Sequence, residues 1–318
     1  MAILNAGTSI AEFPEGTGAH TTGNNLANNV NEGVRIADIN GATIWEGSPE
    51  AEVWVTYHTY RINTTPTADR TIFRNGGEDF LKHAFSDSEN RLLYWDGSAW
   101  VELFSFSEFT TATTRIDIQV KLHATDGAIR FYRNKILEGE FVGNTIFNSV
   151  TTLDSVAIGR YNTSTNAHSA IIVATEDTRP LVYAQLLPSG AGSLTEWTGD
   201  ASNVSGSTSF SDSTFMSTDL AEQKQTFTLP NLHSSFETGW TIETLFVAAR
   251  ARRDPDTVAD LRIMALSGAD EAFGTQVSLT NDVEVVNHQF TVDPATDAAW
   301  TIAGVNALEI GVQSRAPA

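Results

Sequence analysis

The chain has 318 residues, 41% of them hydrophobic and 18% charged, with a formal net charge of −20. This composition excludes an intrinsically disordered chain, and the length suits two domains that each bury a core. The acidity disfavours nucleic acid as a partner, because phosphate backbones repel such a surface.

There is no cysteine, so disulfides and Cys-ligated metal centres are excluded and folding in a reducing compartment is expected. Residues 1–8 lack the basic and apolar regions of a secretory leader. No apolar run approaches the roughly 20 residues needed to cross a bilayer, so no membrane span is expected.

Residues 1–30 are rich in Gly, Asn, Thr and Ala, with Asn24, Asn25, Asn28, Asn29 and Asn31 close together. Such a segment cannot form a core alone, and it reads as an extended N-terminal arm, either docked on a neighbouring subunit or loosely ordered. Strand signals begin after Gly33. Residues 34–39 and 42–45 flank Asn40-Gly41, which predicts a hairpin. Residues 53–60 are β-branched and aromatic with apolar side chains on both faces, as in a central strand. Residues 71–74 follow, ending at Asn75-Gly76-Gly77.

Residues 91–95 and 100–103 flank Asp96-Gly97, a tight-turn signal because the turn needs positive φ. In residues 115–122, Ile116, Ile118, Val120 and Leu122 alternate with Arg115, Asp117, Gln119 and Lys121, which predicts a strand exposed on its polar face. Asp126-Gly127 turns the chain into residues 128–133, and Asn134-Lys135 leads into 136–142. Residues 155–159 and 170–174 close the series. The composition shifts to Ser, Thr, Gly and Asp after Leu187, which marks a boundary. Further strands are predicted over 225–229, 240–250, 261–266, 276–279, 283–292 and 309–313, with one helical turn within 299–308. Short strands and frequent turns indicate an all-β chain of two β-sandwich, jelly-roll-like domains. The expected division is an arm over 1–30, a first sandwich over 31–188, a connection over 189–219 and a second sandwich over 220–318.

Chemical motifs are sparse. His20, His58, His83, His123, His168, His233 and His288 show no metal-ligand spacing. There is no Gly-x-Ser-x-Gly nucleophile elbow and no phosphate-binding loop with its Lys. The carboxylates nearest to a glycosidase-like pair are Glu138 with Glu140, Asp87 with Glu89, and Glu176 with Asp177, all on edge or loop positions. No catalytic residue is therefore expected. Asp87, Glu89 and Asp96 could contribute to a Ca2+ site, against the plainer reading of solvated acidic loops. Trp95 and Trp100 bracket the 96–97 turn and could either stack on sugar rings or enter the core.

Residues 127–137, followed by 155–159, resemble the middle of laminin-G-like (concanavalin A-like) jelly rolls. In that family a strand carrying an aromatic turns at Asn-Gly, and a later strand ends in Ile-Gly. Lys135 stands here in place of the turn Gly. Residues 174–179, 186–192 and 196–200, with 293–301 and 305–312, resemble virion structural proteins of tailed bacteriophages. The resemblance covers roughly residues 50–318. It implies a laminin-G-like first domain and a non-enzymatic component of the particle surface. The mounting point is left open between tail tip, fibre or baseplate and the capsid surface. Implied partners are other virion proteins, further copies of the chain and a host-surface glycan. A polysaccharide depolymerase and a carbohydrate-binding module are the alternative readings.

Overall fold

A computed structural model describes residues 2–7, 20–21, 35–37, 42–61, 67–86, 89–107, 114–161, 166–204, 214–236, 240–254 and 260–317. The chain divides into two compact units, Met1–Tyr183 and Ala184–Ala318. The fold class is all-β, and each unit builds its own sandwich core.

The first unit opens with β1 (Ile3–Gly7), β2 (His20–Thr21), β3 (Arg35–Ala37), β4 (Ala42–Glu50), β5 (Glu52–Arg61), β6 (Thr67–Asn75) and β7 (Glu78–Ser86). It continues with β8 (Glu89–Trp95), β9 (Trp100–Ser107), β10 (Thr114–Lys121), β11 (Gly127–Arg133), β12 (Ile136–Gly143), β13 (Leu153–Tyr161) and β14 (Asn166–Ala174). One sheet has the order β12-β11-β10-β5-β14-β3-β2, with β1 also paired to β14; the other runs β4-β13-β6-β7-β8-β9. Val55 and Tyr57 of β5, Ile118 of β10 and Phe131 of β11 share one buried cluster with Phe73, Leu81, Leu92 and Val156 of the second sheet. Burying each such side chain contributes about 1.5–3 kcal/mol.

A polar chain crosses this core without leaving a donor stranded. The Tyr57 hydroxyl meets Thr71 Oγ1 at 2.9 Å and His83 Nδ1 at 3.3 Å, and His83 Nε2 meets Asn90 Oδ1 at 3.1 Å. Asn90 Nδ2 then donates to the Ser107 carbonyl at 3.0 Å. Satisfying these groups internally removes the desolvation cost of burying them.

Several sequence expectations need correction. β3 pairs with β14 and β2, whereas β4 pairs with β13 in the other sheet, so the strands around Asn40-Gly41 do not form a hairpin. Asn40-Gly41 itself lies outside the described residues. Of the expected arm, β1 pairs within the chain, with residues 171–174 of β14, beside the place where β3 takes residues 167–168, and residues 8–19 and 22–30 lie outside the described residues. A bulge in β14 at Ala170, where φ is +50°, separates these two pairings. β7 was not predicted. The polar face of β10 is not exposed: Arg115, Asp117 and Gln119 retain only 7%, 0% and 6% of their accessible surface.

The second unit contains β15 (Gly190–Thr195), β16 (Lys224–Thr228), β17 (Leu245–Ala251), β18 (Asp260–Ser267), β19 (Asp270–Phe273), β20 (Val277–Ser278), β21 (Glu284–Phe290), α1 (Ile302–Asn306) and β22 (Glu309–Arg315). The main sheet runs β15-β16-β22-β18-β19, with β20 also on β18, and β17 pairs with β21 as a ribbon. Val247, Val286 and Phe290 of the ribbon pack with Leu261, Ile263 and Ala265 of β18 and with Trp300 and Val305. Thr301 caps α1 by accepting from Gly304 N at 2.9 Å. The expected connection over 189–219 is not a bare linker. Ser189 N donates to the Thr228 carbonyl at 2.8 Å and β15 pairs with β16, so this segment belongs to the second unit and the division falls at 183/184.

Candidate functional site

The β8–β9 hairpin sets the first candidate surface. Its loop is fixed by Asp96, whose Oδ1 accepts from Ser98 N at 2.7 Å, Ala99 N at 2.7 Å and Ser98 Oγ at 2.9 Å. The amide bonds from Ala99 and Ser98 hold this carboxyl below its ordinary range. Gly97 has φ +98°, a conformation that side chains other than Gly rarely adopt. Trp95 and Trp100 face each other directly in the ladder, ring centroids 5.5 Å apart. Both are partly exposed and neither enters the core cluster. On the opposite face of β8, Tyr94 stacks on Phe147 at 3.9 Å, and this holds the hairpin against the core. Lys82 of β7 lies over the Trp100 ring at 4.3 Å. Register places Lys82 and Glu102 opposite Leu93, on the same face as the two indoles.

The second surface is the outer face of the other sheet. Arg115 Nη2 pairs with Asp117 Oδ1 at 2.8 Å, and Thr56 Oγ1 donates to the same oxygen at 2.5 Å. Residues 175–183 roof this pair: Arg115 donates to the Thr178 and Leu181 carbonyls, both at 2.8 Å. Arg179 extends over Tyr132 at 4.3 Å and Trp54 at 5.5 Å, with Asp177 holding its guanidinium. Burial pushes the Asp177 carboxyl up, but the Arg179 bonds outweigh it and the group sits below its ordinary range. Beside the roof, Gln119 donates to Glu52 Oε1 at 2.8 Å and accepts from Arg130 Nη1 at 2.9 Å.

Of the carboxylates paired in the sequence, Glu138, Glu140 and Asp177 are each held by an arginine. Glu138 binds Arg133 Nε at 2.6 Å, and Glu140 binds Arg130 Nε at 3.0 Å. Glu176 is exposed. Of the residues considered for Ca2+, Asp87 lies outside the described residues, Glu89 is 3.5 Å from Arg91, and Asp96 is used by its turn. Among the described residues no group of three His, Asp or Glu side chains could hold a metal ion.

His83 is a core residue. His123 Nδ1 accepts from Asp126 N at 2.8 Å, and His233 is exposed. His288 is partly buried, and the side chains of His20 and His168 lie outside the described residues. His58 stands opposite Arg115 in the β5–β10 ladder. Burial first, then the Arg115 charge, lowers its pKa to about 4.

Sequence reasoning missed Lys82, Arg179 and the Trp54–Tyr132 floor. The Asn75-Gly76-Gly77 turn was a usable signal for β7 and hence for Lys82, whereas nothing in local periodicity marks Arg179 as a cover. Among the described residues no helix is long and apolar enough to cross a membrane.

No family model and no curated protein matches the chain. Among solved structures it is similar to an alginate lyase variant in complex with an alginate tetrasaccharide, at 12% identity and TM-score 0.37, over 55% of this chain and 98% of that one. It is also similar to Trypanosoma rangeli sialidase, at 14% identity and TM-score 0.33, over 46% of this chain and 26% of that one. The botulinum neurotoxin type G receptor binding domain matches at 8% identity and TM-score 0.35, over 50% and 43%. Likeness at this level transfers neither activity nor ligand.

Proposed function

We propose that this chain is a non-enzymatic structural protein displayed on a tailed-phage particle, and that its first sandwich recognises a saccharide through Trp95 and Trp100. The observation that carries the recognition half is the indole pair: two partly exposed rings set across a hairpin whose loop is locked by Asp96. Such a platform offers large apolar area at low entropic cost and suits the apolar face of a sugar ring. The arginines bound to Glu138, Glu140 and Asp177 support a binding role over acid–base catalysis. The virion half rests on the resemblance of residues 174–179, 186–192, 196–200, 293–301 and 305–312 to phage structural proteins, and the particle position is tail or capsid surface.

The test is a glycan array probed with the full chain and with the double variant Trp95→Ala, Trp100→Ala. The expected result is binding to at least one saccharide class, weakened about tenfold or more in the variant, a loss of about 1.4 kcal/mol or more. An unchanged melting temperature would show that the variant is folded. Binding that survives the double substitution, or no binding to any saccharide, contradicts the proposal.

A further inference from the structure

The Trp95–Trp100 pair stands among charges that cancel. In the register of the second sheet Leu93 lies between Lys82 and Glu102, on the face that carries the indoles. The next row of that face is Ala84, Arg91 and Ser105. Arg91 reaches Glu89 at 3.5 Å and Glu102 at 3.7 Å. In the rows nearest the indoles, the cations Lys82 and Arg91 are thus matched by Glu89 and Glu102 among the described residues.

This balance decides the charge of the ligand. A neutral patch offers an acidic saccharide no attraction at contact, and a chain of net charge −20 repels it at a distance. Hydroxyl groups suit the patch instead, because an ammonium donates and a carboxylate accepts. Glu102 is exposed and Lys82 partly exposed, so a ligand on the indoles can reach both.

The indole geometry decides how much of the saccharide is engaged. The two planes are tilted by 59°, with centroids 5.5 Å apart. Coplanar rings would carry successive units of a flat chain, whereas planes tilted this far form a clasp. A pyranose laid flat on one indole has its edge against the other. An internal unit of a chain continues beyond both of its edges and would run into the second ring. A terminal unit has one free edge and fits. The clasp is preformed, since Asp96 locks the turn and Tyr94 stacks on Phe147 beneath it.

We propose that the Trp95–Trp100 clasp takes the terminal pyranose of an uncharged saccharide, with Lys82 donating to its hydroxyls and Glu102 accepting from them. This rests on the reading of the indole pair as a saccharide platform and names the class of saccharide and the unit recognised.

The test uses a glycan array carrying chains that end in glucose, galactose, mannose or N-acetylglucosamine. Each chain is present with its terminal ring free and with that ring capped by sialic or glucuronic acid. The full chain is expected to bind at least one free terminus, and the cap is expected to weaken that binding about tenfold or more. Calorimetric titration with the glycan that binds should give an affinity that changes less than about twofold between about 0.1 M and about 1 M salt. Glu102→Ala and Lys82→Met are each expected to weaken binding about tenfold, whereas Glu102→Gln keeps an accepting oxygen and should lose only about threefold. Thermal melting checks that the variants fold. Binding confined to acidic glycans, or a steep loss of affinity with salt, overturns the uncharged class and leaves the saccharide reading standing. Equal binding of free and capped termini overturns the terminal ring. Unaltered binding in both Glu102→Ala and Lys82→Met overturns their roles. Absence of binding to every glycan removes the saccharide reading itself.

Discussion

His58 shows how one buried ring makes a sandwich sensitive to acid. Its Nδ1 is buried without a hydrogen-bond partner, and the ring faces Arg115, with Asp117 and Lys135 acting more weakly. The folded-state pKa of about 4 lies below the ordinary 6.5. The unfolded chain therefore binds the proton first, and stability is lost as pH falls from about 6.5 to about 4. At 1.36 kcal/mol per unit the whole contribution is about 3 kcal/mol, less what solvent screens at the partly exposed ring. Urea denaturation at pH 7 and pH 4.5 should show this decline, and His58→Leu should flatten it. Equal slopes in the two proteins would remove His58 as the cause.

Lys135 makes a second case at the same scale. Asn134 and Lys135 have φ of +50° and +69°, the left-handed pair of a tight hairpin turn. A left-handed L-residue costs roughly 1–2 kcal/mol, partly offset by the extra unfolded-state freedom that Gly would bring. Lys135→Gly should therefore raise stability by about 0.5–1 kcal/mol, read as a higher denaturation midpoint.

At the scale of the element, β10 separates what alternation encodes from what it does not. The period of two correctly placed Ile116, Ile118 and Val120 in the core. It also suggested that Arg115, Asp117 and Gln119 meet water, because polar residues on a strand normally do. Residues 175–183 cover Arg115 and Asp117 instead, while Gln119 is held between Glu52 and Arg130, and partners supplied from elsewhere in the chain leave no trace in the strand's own pattern. Removing one partner of this pair strands the other charge, so Asp117→Ala should destabilise the protein by about 3–5 kcal/mol in equilibrium denaturation. A loss below about 1 kcal/mol would mean that Arg115 finds another partner.

Other elements were legible to different degrees for physical reasons. The β8–β9 hairpin could be read because its turn needs Gly97 at positive φ. Gly127, by contrast, already lies in β11 and is required by a close approach, since a Cβ there would sit 2.0 Å from Thr145 Oγ1. β15 was hidden because Gly190, Ala191, Gly192 and Ser193 have loop composition, yet the close approach requires small residues. A Cβ on Gly192 would sit 2.3 Å from Thr226 Oγ1 and 2.4 Å from Glu309 Oε2. The pairing of β5 with β14 joins segments far apart in sequence, and no local signal specifies it. The exposure of Trp95 and Trp100 was equally open, since a strand Trp is usually buried. Gly311 is a related case: a Cβ there would meet the Gln225 carbonyl at 2.1 Å, a backbone atom that cannot swing away. Gly311→Ala should cost about 3 kcal/mol and broaden the unfolding of the second unit.

For the whole molecule, two separate cores organise the account. The cluster around Phe131 and Leu92 and the cluster around Ile263 and Trp300 have no residue in common. The proposal places the recognition surface, the indole pair, on the first unit. What gives that surface its role is display on a particle, so display is the central claim. Immunogold labelling of purified phage particles with an antibody to this chain tests it most directly. The account predicts gold on intact particles, at the tail tip for an adhesin or over the head for a capsid-surface protein. Intact particles without label, from a lysate in which the chain is present, would contradict it.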